Sequence, residues 1–250
     1  MEQSINRYKS MALQNVAIIG SSGAIGRALT QQLATMLPDA TIYTFSRSES
    51  GEYFENIIHT TIKYESEISI ESAARIASER SPLDMVLVAT GILHDEVFMP
   101  EKSLKDLSAE KFIHLFLVNS VLPAIIAKHF IPRLNQKKRS VFAALSARVG
   151  SISDNKIGGW YSYRASKSAL NMIIKNLAIE TARKNEQAII VGLHPGTVDS
   201  NLSRSFQSNV PNANLFTPGF AARKLIEVLE TLTPGNSGKC FAWDGKEIEA

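Results

Sequence analysis

Tyr163 and Lys167 are the pair in this 250-residue sequence whose residue types and spacing best suit acid–base chemistry. They open a strong helical pattern, and residues four apart share one face of a helix. A phenol has a reference pKa of about 10, and a cation within ~4–6 Å favours its ionised form. We therefore expect the lysine to lower the pKa of the tyrosine toward general acid–base work near neutral pH. The alternative is a surface tyrosine beside a solvated lysine.

A glycine-rich segment follows the first predicted strand. Val16–Ile19 runs into Gly20-Ser21-Ser22-Gly23-Ala24-Ile25-Gly26 and then into a predicted helix. Between a strand and a helix, such glycines permit a tight turn and close backbone approach, with a pyrophosphate at the helix N-terminus. Turns also use glycine for positive φ without binding a ligand. The position in the chain is what predicts a dinucleotide site.

Ser46 and Arg47 stand at the end of the second predicted strand, and no acidic residue occurs before Glu49. NAD usually meets an acidic residue there, whereas an arginine accommodates the 2′-phosphate of NADP. The sequence therefore predicts a preference for NADP (NADPH), with NAD possible. The alternative is an exposed loop arginine.

Short apolar runs alternate with helical patterns along the whole chain. This alternation predicts an α/β fold, a doubly wound, Rossmann-like parallel sheet of about seven strands with helices on both faces. Predicted strands are Val16–Ile19, Thr41–Phe45, Thr61–Tyr64, Met85–Ala89, Ser140–Leu145, Ala188–Leu193 and Lys239–Ala242. Predicted helices lie near Ile25–Met36, Ile70–Ser78, Ser108–Leu134, Tyr163–Arg183 and Phe220–Leu232. We expect one domain over residues 15–250, after a flexible N-terminal extension over residues 1–14.

The segment Asp199–Pro218 is long for a loop in a compact domain, and such loops are often lids over a site. Leu202, Phe206 and Phe216 would make this lid partly apolar, or would simply anchor it. Trp160 and Tyr161 are expected either to line the pocket or to be packing residues.

Composition limits the other classes of function. The net charge of +3 is too small to indicate nucleic-acid binding. Cys240 is the single cysteine of the sequence, which excludes an internal disulfide. The five histidines have no ligand-like spacing, so no metal site is expected. The sequence shows neither a signal-peptide pattern nor a window of about eighteen apolar residues, so we expect a cytoplasmic protein without a membrane span.

Several motifs in order resemble the short-chain dehydrogenase/reductase superfamily. They are the glycine segment, Val88-Ala89-Thr90-Gly91, Asn119, the Tyr163–Lys167 pair and His194-Pro195-Gly196-Thr197-Val198. More narrowly, Leu145–Gly150 with Gly158–Arg164 resembles the C-factor branch, near the sniffer-type carbonyl reductases.

The resemblance implies hydride exchange between a nicotinamide and a carbonyl carbon. It implies that Tyr163 supplies the proton, that Lys167 holds the nicotinamide ribose, and that Asn119 helps to place a water in the proton relay. The remaining cofactor-binding residues would be Gly20, Ser22, Gly23, Ile25, Gly26, Ser46, Arg47, Ala89, Gly91, Pro195, Gly196, Thr197 and Val198. An asparagine bonded to backbone is the alternative for Asn119.

The sequence departs from the superfamily pattern in three places. Ala24 takes the usual middle glycine position, and Val-Ala-Thr-Gly replaces Asn-Asn-Ala-Gly after the fourth strand. The usual catalytic serine position falls on Ala147, so the prediction for that role is the neighbouring Ser146, with Ser151 as a less favoured substitute.

Two functions follow as hypotheses. The first is an NADP-dependent oxidoreductase that interconverts a small-molecule carbonyl and an alcohol. The second is a dinucleotide-binding C-factor-like signalling or regulatory protein with little or no turnover, which Ala147 favours and the Tyr163–Lys167 pair opposes. A hydrolase is disfavoured because no GxSxG motif occurs. The resemblance also implies a homodimer or homotetramer formed through the helices at Ser108–Leu134 and Tyr163–Arg183.

Overall fold

The computed structural model describes residues 13–49, 54–209 and 211–250. Most of the predicted N-terminal extension, residues 1–12, lies outside the described residues. Leu13 is buried in the core, and the backbone N–H of Gln14 donates to Asp84 Oδ2 at 2.7 Å. The folded part of the chain therefore includes these two residues, which the sequence analysis placed in the extension.

Strands and helices alternate as predicted. Within the described residues the strands are β1 (Asn15–Ile19), β2 (Thr41–Ser46), β3 (Ile57–Thr61), β4 (Met85–Val88), β5 (Ser140–Leu145), β6 (Ala188–His194), β7 (Thr197–Val198), β8 (Leu215–Phe216), β9 (Cys240–Ala242) and β10 (Glu247–Ile248). The α-helices are α1 (Ala24–Met36), α2 (Glu67–Ala77), α3 (Ala109–Phe116), α4 (Leu122–Phe130), α5 (Tyr161–Ala182) and α6 (Pro218–Thr231).

Eight strands form the central sheet in the order β10-β9-β6-β5-β4-β1-β2-β3. All neighbours are parallel except β10, which pairs antiparallel with β9. The chain order reverses between β1 and β4, and open α/β sheets bind ligands at such a switch point, beyond the carboxyl ends of the strands. The doubly wound sheet is confirmed, with one strand more than the expected seven because the two-residue β10 is too short to show a pattern.

Two apolar layers cover the sheet. Alternate residues of β1 point to opposite faces, so that Ala17 and Ile19 join one core cluster while Val16 and Ile18 join the other. Helices α2, α4 and α5 contribute to the first cluster, and helices α1 and α6 to the second. Helices therefore lie on both faces, as predicted.

The third strand was wrongly placed. Thr61–Tyr64 was predicted, but β3 is Ile57–Thr61, paired in register with β2 from Ile42↔Ile57 to Ser46↔Thr61. As the edge strand it is only half-buried, so it lacks the continuous apolar character of the central strands. The other predicted strands match within two residues at either end.

One long helical segment spans Ala109–Arg133. It consists of α3, a π-helical turn at Leu117–Val121, α4 and a terminal 3₁₀ turn. By length and composition it is apolar enough to cross a membrane, contrary to the expectation that no such window exists. Leu122, Ile126 and Phe130 of this segment lie in the core, and a core helix of a folded domain meets the same criterion.

Candidate active site

A cavity of about 570 Å³ lies beyond the carboxyl ends of the central strands. The predicted site residues that line it are Ser22, Gly23, Ile25, Ala89, Gly91, Ser146, Tyr163, Lys167, Pro195, Gly196, Thr197 and Val198. Five other predicted residues do not line it, namely Gly20, Gly26, Ser46, Arg47 and Asn119. The structure therefore brings most of the expected site together around one space.

The glycine segment forms a tight strand-to-helix turn. Gly20 has φ +89°, and a Cβ there would come within 2.9 Å of the Ala89 and Thr90 backbone. A Cβ on Gly26 would come within 2.1 Å of the Gly20 carbonyl oxygen. These two positions need glycine to let α1 approach β1 and β4. Ala24 in the usual middle glycine position begins α1 without disturbing this turn.

The start of α1 offers its backbone N–H groups to a ligand. The N-cap is Gly23, which provides no side-chain acceptor, and the first turn has no acidic residue. Nearby, Ser21 Oγ and Thr90 Oγ1 are buried without a hydrogen-bond partner among the described residues. An anion at this helix N-terminus would be favoured by the helix dipole. The local chemistry therefore fits the pyrophosphate of a dinucleotide.

Arg47 stands exposed at the end of β2. Its guanidinium carbon lies 6.0 Å from the centroid of the Tyr64 ring. The buried Ser46 donates its hydroxyl to the Ser48 carbonyl, and His59 Nε2 lies 3.1 Å from the same oxygen. These contacts to the Ser48 carbonyl fix the turn that carries Arg47. The first acidic residue after Arg47 is Glu49, and its side chain is exposed.

Tyr163 is the third residue of α5, and its side chain is buried. Its ring packs in an apolar cluster with Leu93, Leu115 and Ala147. Burial raises the pKa of Tyr163 to about 12. The sequence-based expectation that Lys167 lowers this pKa is therefore wrong in direction, because desolvation by the apolar cluster dominates. At neutral pH the phenol is protonated and can donate.

Lys167 lies one turn after Tyr163 and is also buried. Its ammonium group donates to the Leu145 carbonyl at 2.8 Å, at the end of β5. Burial lowers the pKa of Lys167 to about 8. A Cβ on Gly91 would lie 3.4 Å from both Lys167 Nζ and Asn119 Oδ1, so a glycine there keeps this space open.

Asn119 lies in the π-helical turn, fully buried. Its amide nitrogen donates to the Ile92 carbonyl at 2.9 Å and to Ser166 Oγ at 3.1 Å, and its Oδ1 accepts from the Ile92 N–H at 2.9 Å. Both amide protons are thus used in joining the Gly91–Ile92 backbone to α5. The structure gives the side chain a positioning contact, and its part in a proton relay stays a prediction.

Ala147 and Ser146 contact different neighbours. Ala147 packs in the Tyr163 cluster, whereas the Ser146 hydroxyl donates to Asn171 Oδ1 at 2.6 Å. Ser146 also lines the cavity, but it must leave Asn171 before it can donate to a carbonyl. Ser151 does not line the cavity, and its hydroxyl accepts from the Asp154 N–H at 3.1 Å.

The segment after β6 closes another side of the cavity. Gly196 has φ +77°, and a Cβ there would come within 2.6 Å of the Phe216 ring. Thr197 and Val198 form β7, which pairs with β8 and holds together the two ends of the predicted lid. Phe216 does not line the cavity but packs against Trp243 at 4.6 Å between ring centroids. It therefore anchors the lid.

The first part of the lid forms one side of the cavity. Leu202 and Phe206 of the lid line the cavity. The Phe206 ring packs edge-on against Trp160, with 5.1 Å between the ring centroids. His94 Nε2 lies 3.1 Å from the Leu202 carbonyl and holds the lid from the opposite side. Of the two aromatic residues left open by the sequence, Trp160 lines the cavity and Tyr161 does not.

Sequence reasoning missed two polar groups in the cavity wall. His194 lines the cavity with an Nδ1 atom that is buried and unpartnered among the described residues. Burial lowers the pKa of His194 to about 4, so the imidazole is neutral at neutral pH. Thr90 was noted only as a departure from the superfamily pattern. His194 is the last residue of β6 and Thr90 lies two residues after β4, and this position at strand ends was the available signal.

Residues 14–211 match the short chain dehydrogenase family. The chain belongs to this family of oxidoreductases. It is 31% identical over 146 residues to C-signal of Myxococcus xanthus, covering 58% of this chain and 82% of that protein. It is 27% identical over 239 residues to 1-hydroxy-2-glutathionyl-2-methyl-3-butene dehydrogenase of Rhodococcus sp. (strain AD45), covering 95% and 100%. The predicted superfamily is confirmed, and the similarity to C-signal agrees with the C-factor-like branch.

Solved structures share the fold. Carbonyl reductase Sniffer of D. melanogaster superposes with a TM-score of 0.82 at 19% identity, covering 95% of this chain and all of that chain. An NADPH-bound carbonyl reductase from chicken fatty liver gives a TM-score of 0.79 at 20% identity, covering 95% and 99%. At these identities the likeness concerns the fold.

Proposed function

We propose that this family member is an NADPH-dependent reductase of aldehydes or ketones, with Tyr163 as the proton donor. The observation that carries the proposal is the meeting of Tyr163, Lys167 and the glycine-rich turn around one cavity. The cofactor would supply the hydride when bound. All other steps fall to residues of this chain.

The described residues fit a dinucleotide along the switch point of the sheet. The turn at Gly20 and Gly26 and the N-terminus of α1 at Gly23 suit a pyrophosphate. So does the Thr90 hydroxyl, which has no partner among the described residues. Arg47 at the end of β2 supports a 2′-phosphate, because a guanidinium pairs bidentately with phosphate. Lys167 and the Pro195–Val198 segment would hold the nicotinamide half.

At neutral pH Tyr163 is in the protonation state that carbonyl reduction needs. The pKa of about 12 keeps Tyr163 protonated, so it can donate to a carbonyl oxygen, whereas the phenolate that would accept a proton from an alcohol is scarce. The apolar cluster buries the ring of Tyr163, which also lines the cavity. Ser146 would add a hydrogen bond to the same oxygen after leaving Asn171.

The aromatic and apolar side chains next to Tyr163 support a proposal about the substrate. The side chains that pack together next to Tyr163 and also line the cavity are apolar, namely Leu93, Val149, Trp160 and Phe206. Aromatic walls of this kind favour stacked or edge-on contacts with an aromatic group. We therefore infer an aryl or otherwise apolar aldehyde or ketone.

A signalling or regulatory role is the second candidate. It is favoured by Ala147, which puts a methyl group where the superfamily usually has a serine, and by the similarity to C-signal. Under this hypothesis the chain binds the dinucleotide and turns over slowly or not at all. The buried Tyr163 and Lys167 oppose it, because burying a lysine is costly without a role.

We propose a homodimer or homotetramer in which the long helical segment Ala109–Arg133 and α5 form the contacts between copies. Ile113, Leu117 and Val121 recur at helical spacing with 45–69% of each side chain exposed. On α5, Met172 and Ile179 are similarly exposed. Covering these side chains with a second copy would remove this apolar surface from water. The cytoplasmic location stays a prediction.

The test is NADPH oxidation across aryl ketones, diketones and small aldehydes, paired with a fluorescence titration of NADPH binding. Turnover of at least one carbonyl class with NADPH, and slower turnover with NADH, supports the proposal. Tight NADPH binding without turnover of any carbonyl supports the second candidate instead.

A further inference from the structure

Trp160 has a backbone conformation that its residue type rarely adopts. It has φ 51° and ψ 44°, and it is the non-glycine residue with positive φ in the described part of the chain. Gly158 and Gly159, with φ of 69° and 65°, lead into it. Left-handed backbone in a bulky residue is strained, and such strain persists only where surrounding contacts hold it.

Glu101 holds this left-handed turn from a segment far along the chain. Its backbone carbonyl accepts the Trp160 N–H at 2.6 Å, and its Oε2 accepts the Ser162 N–H at 3.3 Å. On the other side, Arg164 Nε donates to the carbonyls of Gly158 and Gly159 at 3.2 and 3.1 Å. Trp160 is therefore bracketed by contacts to one acidic and one basic residue.

The Glu101 carboxylate replaces the missing cap of α5. Trp160 is the N-cap residue and has no side-chain acceptor, and the first turn of α5 contains no acidic residue. A carboxylate near a helix N-terminus is favoured by the helix dipole. Glu101 is fully buried, however, and its Oε1 has no partner among the described residues. Burial of such a group is unfavourable, so packing alone does not explain its presence.

The turn connects Glu101 to the cavity. The Trp160 ring lines the cavity, packs edge-on against Phe206 and lies 6.2 Å from the Tyr163 ring between centroids. We propose that Glu101 is a positioning residue that holds Trp160 in the cavity wall and so sets the preference for bulky apolar carbonyls. The substrate part of this inference rests on the proposed reductase function; the link from Glu101 to Trp160 does not.

The first test needs no turnover. The chain has two tryptophans, so Trp243→Phe leaves Trp160 as the only one, and its emission and acrylamide quenching report its surroundings. Glu101→Ala in this background keeps the backbone bond to the Trp160 N–H but removes the side-chain acceptor of the Ser162 N–H. The turn should then relax out of the left-handed region, which shifts the emission to longer wavelength and raises quenching about twofold. Glu101→Gln keeps an acceptor for the Ser162 N–H and should restore the original spectrum. The control is the exposed Glu96→Ala on the same segment.

The second test uses a pair of substrates. Glu101→Ala should lower kcat/KM for an aryl ketone by about tenfold while leaving a small aldehyde within about threefold. In a Trp160→Ala background the same change should have no further effect on this ratio, because the two residues act together. NADPH affinity should be unchanged. If Glu101→Ala fails to fold, Glu101→Asp keeps the carboxyl group, shortens its reach and should give the same shift in emission.

The outcomes separate the two proposals. An unchanged Trp160 spectrum in both Glu101→Ala and Glu101→Asp overturns the positioning role, as does an equal loss for both substrates. If no carbonyl is reduced by the unmodified protein, the proposed function fails, and the spectra still decide whether Glu101 positions Trp160.

Discussion

Replacing Lys167 by methionine should stabilise the fold while removing activity. Methionine has a similar length and no charge, so it fills the same buried space. Burial lowers the pKa of Lys167 from 10.5 to about 8. At 1.36 kcal/mol per pKa unit, keeping this lysine charged at pH 7 costs the folded state about 3 kcal/mol. The variant also loses the hydrogen bond to the Leu145 carbonyl, which lowers its free energy of unfolding by about 1 kcal/mol.

The net gain of about 2 kcal/mol in the free energy of unfolding corresponds to a rise in Tm of about 4–8 °C for a chain of this size. The unfavourable contribution of the lysine is complete below its folded pKa of about 8. It declines as the pH rises toward the unfolded value of 10.5, because the unfolded chain still binds the proton that the folded chain has released. The advantage of the variant should therefore shrink above pH 8.

The measurement is thermal and urea unfolding of both proteins between pH 6.5 and 10, without cofactor, since bound ligand would add stability of its own. Lys156→Met at an exposed position is the control and should leave Tm unchanged. A variant that is less stable than the unmodified protein at pH 7, or a difference that does not change with pH, would refute the argument from burial.

The remaining predictions concern cofactor, serine and assembly. Arg47→Ala should weaken NADPH binding by about tenfold or more and leave NADH unchanged, since a charge-assisted bond contributes ~1.5–3 kcal/mol; equal affinities of the unmodified protein for both cofactors, in calorimetric titration, contradict this. Ser146→Ala should lower kcat by about 10²–10³ if its hydroxyl leaves Asn171 for the substrate. A kcat that stays within about threefold of the original would show that Ser146 does not donate a hydrogen bond to the developing oxyanion. Leu117→Glu should reduce the assembly to a smaller species in light scattering; an unchanged mass places the contact elsewhere.

The layers of the fold could be predicted because the central strands are buried on both faces. Val16–Ile19 and Val86–Val88 are continuous apolar runs, and a short run of this kind indicates a strand that is buried on both faces. The edge strand β3 is half-buried and carries His59, Thr60 and Thr61, so its pattern was too weak to place it. Helix α2 was predicted three residues late because its Ser66 cap, which accepts from the Ser69 N–H, was overlooked.

The site was predictable in its residues but less so in its electrostatics. The Tyr163–Lys167 pair was found from spacing on one helix face. Spacing says nothing of the apolar cluster from Leu93, Leu115 and Ala147, and this cluster reverses the expected shift in the pKa of Tyr163. Glu101 bonds to a residue 61 positions away, so no local pattern could indicate it.

Tyr163→Phe is the most direct test of the central claim. It keeps the ring and its packing with Ala147 but removes the proton that the mechanism donates. Steady-state reduction of aryl ketones, diketones and small aldehydes with NADPH, together with fluorescence titration of NADPH, should show that turnover is abolished while affinity for the cofactor stays within about threefold. Normal turnover in Tyr163→Phe would contradict the account and place the active site elsewhere.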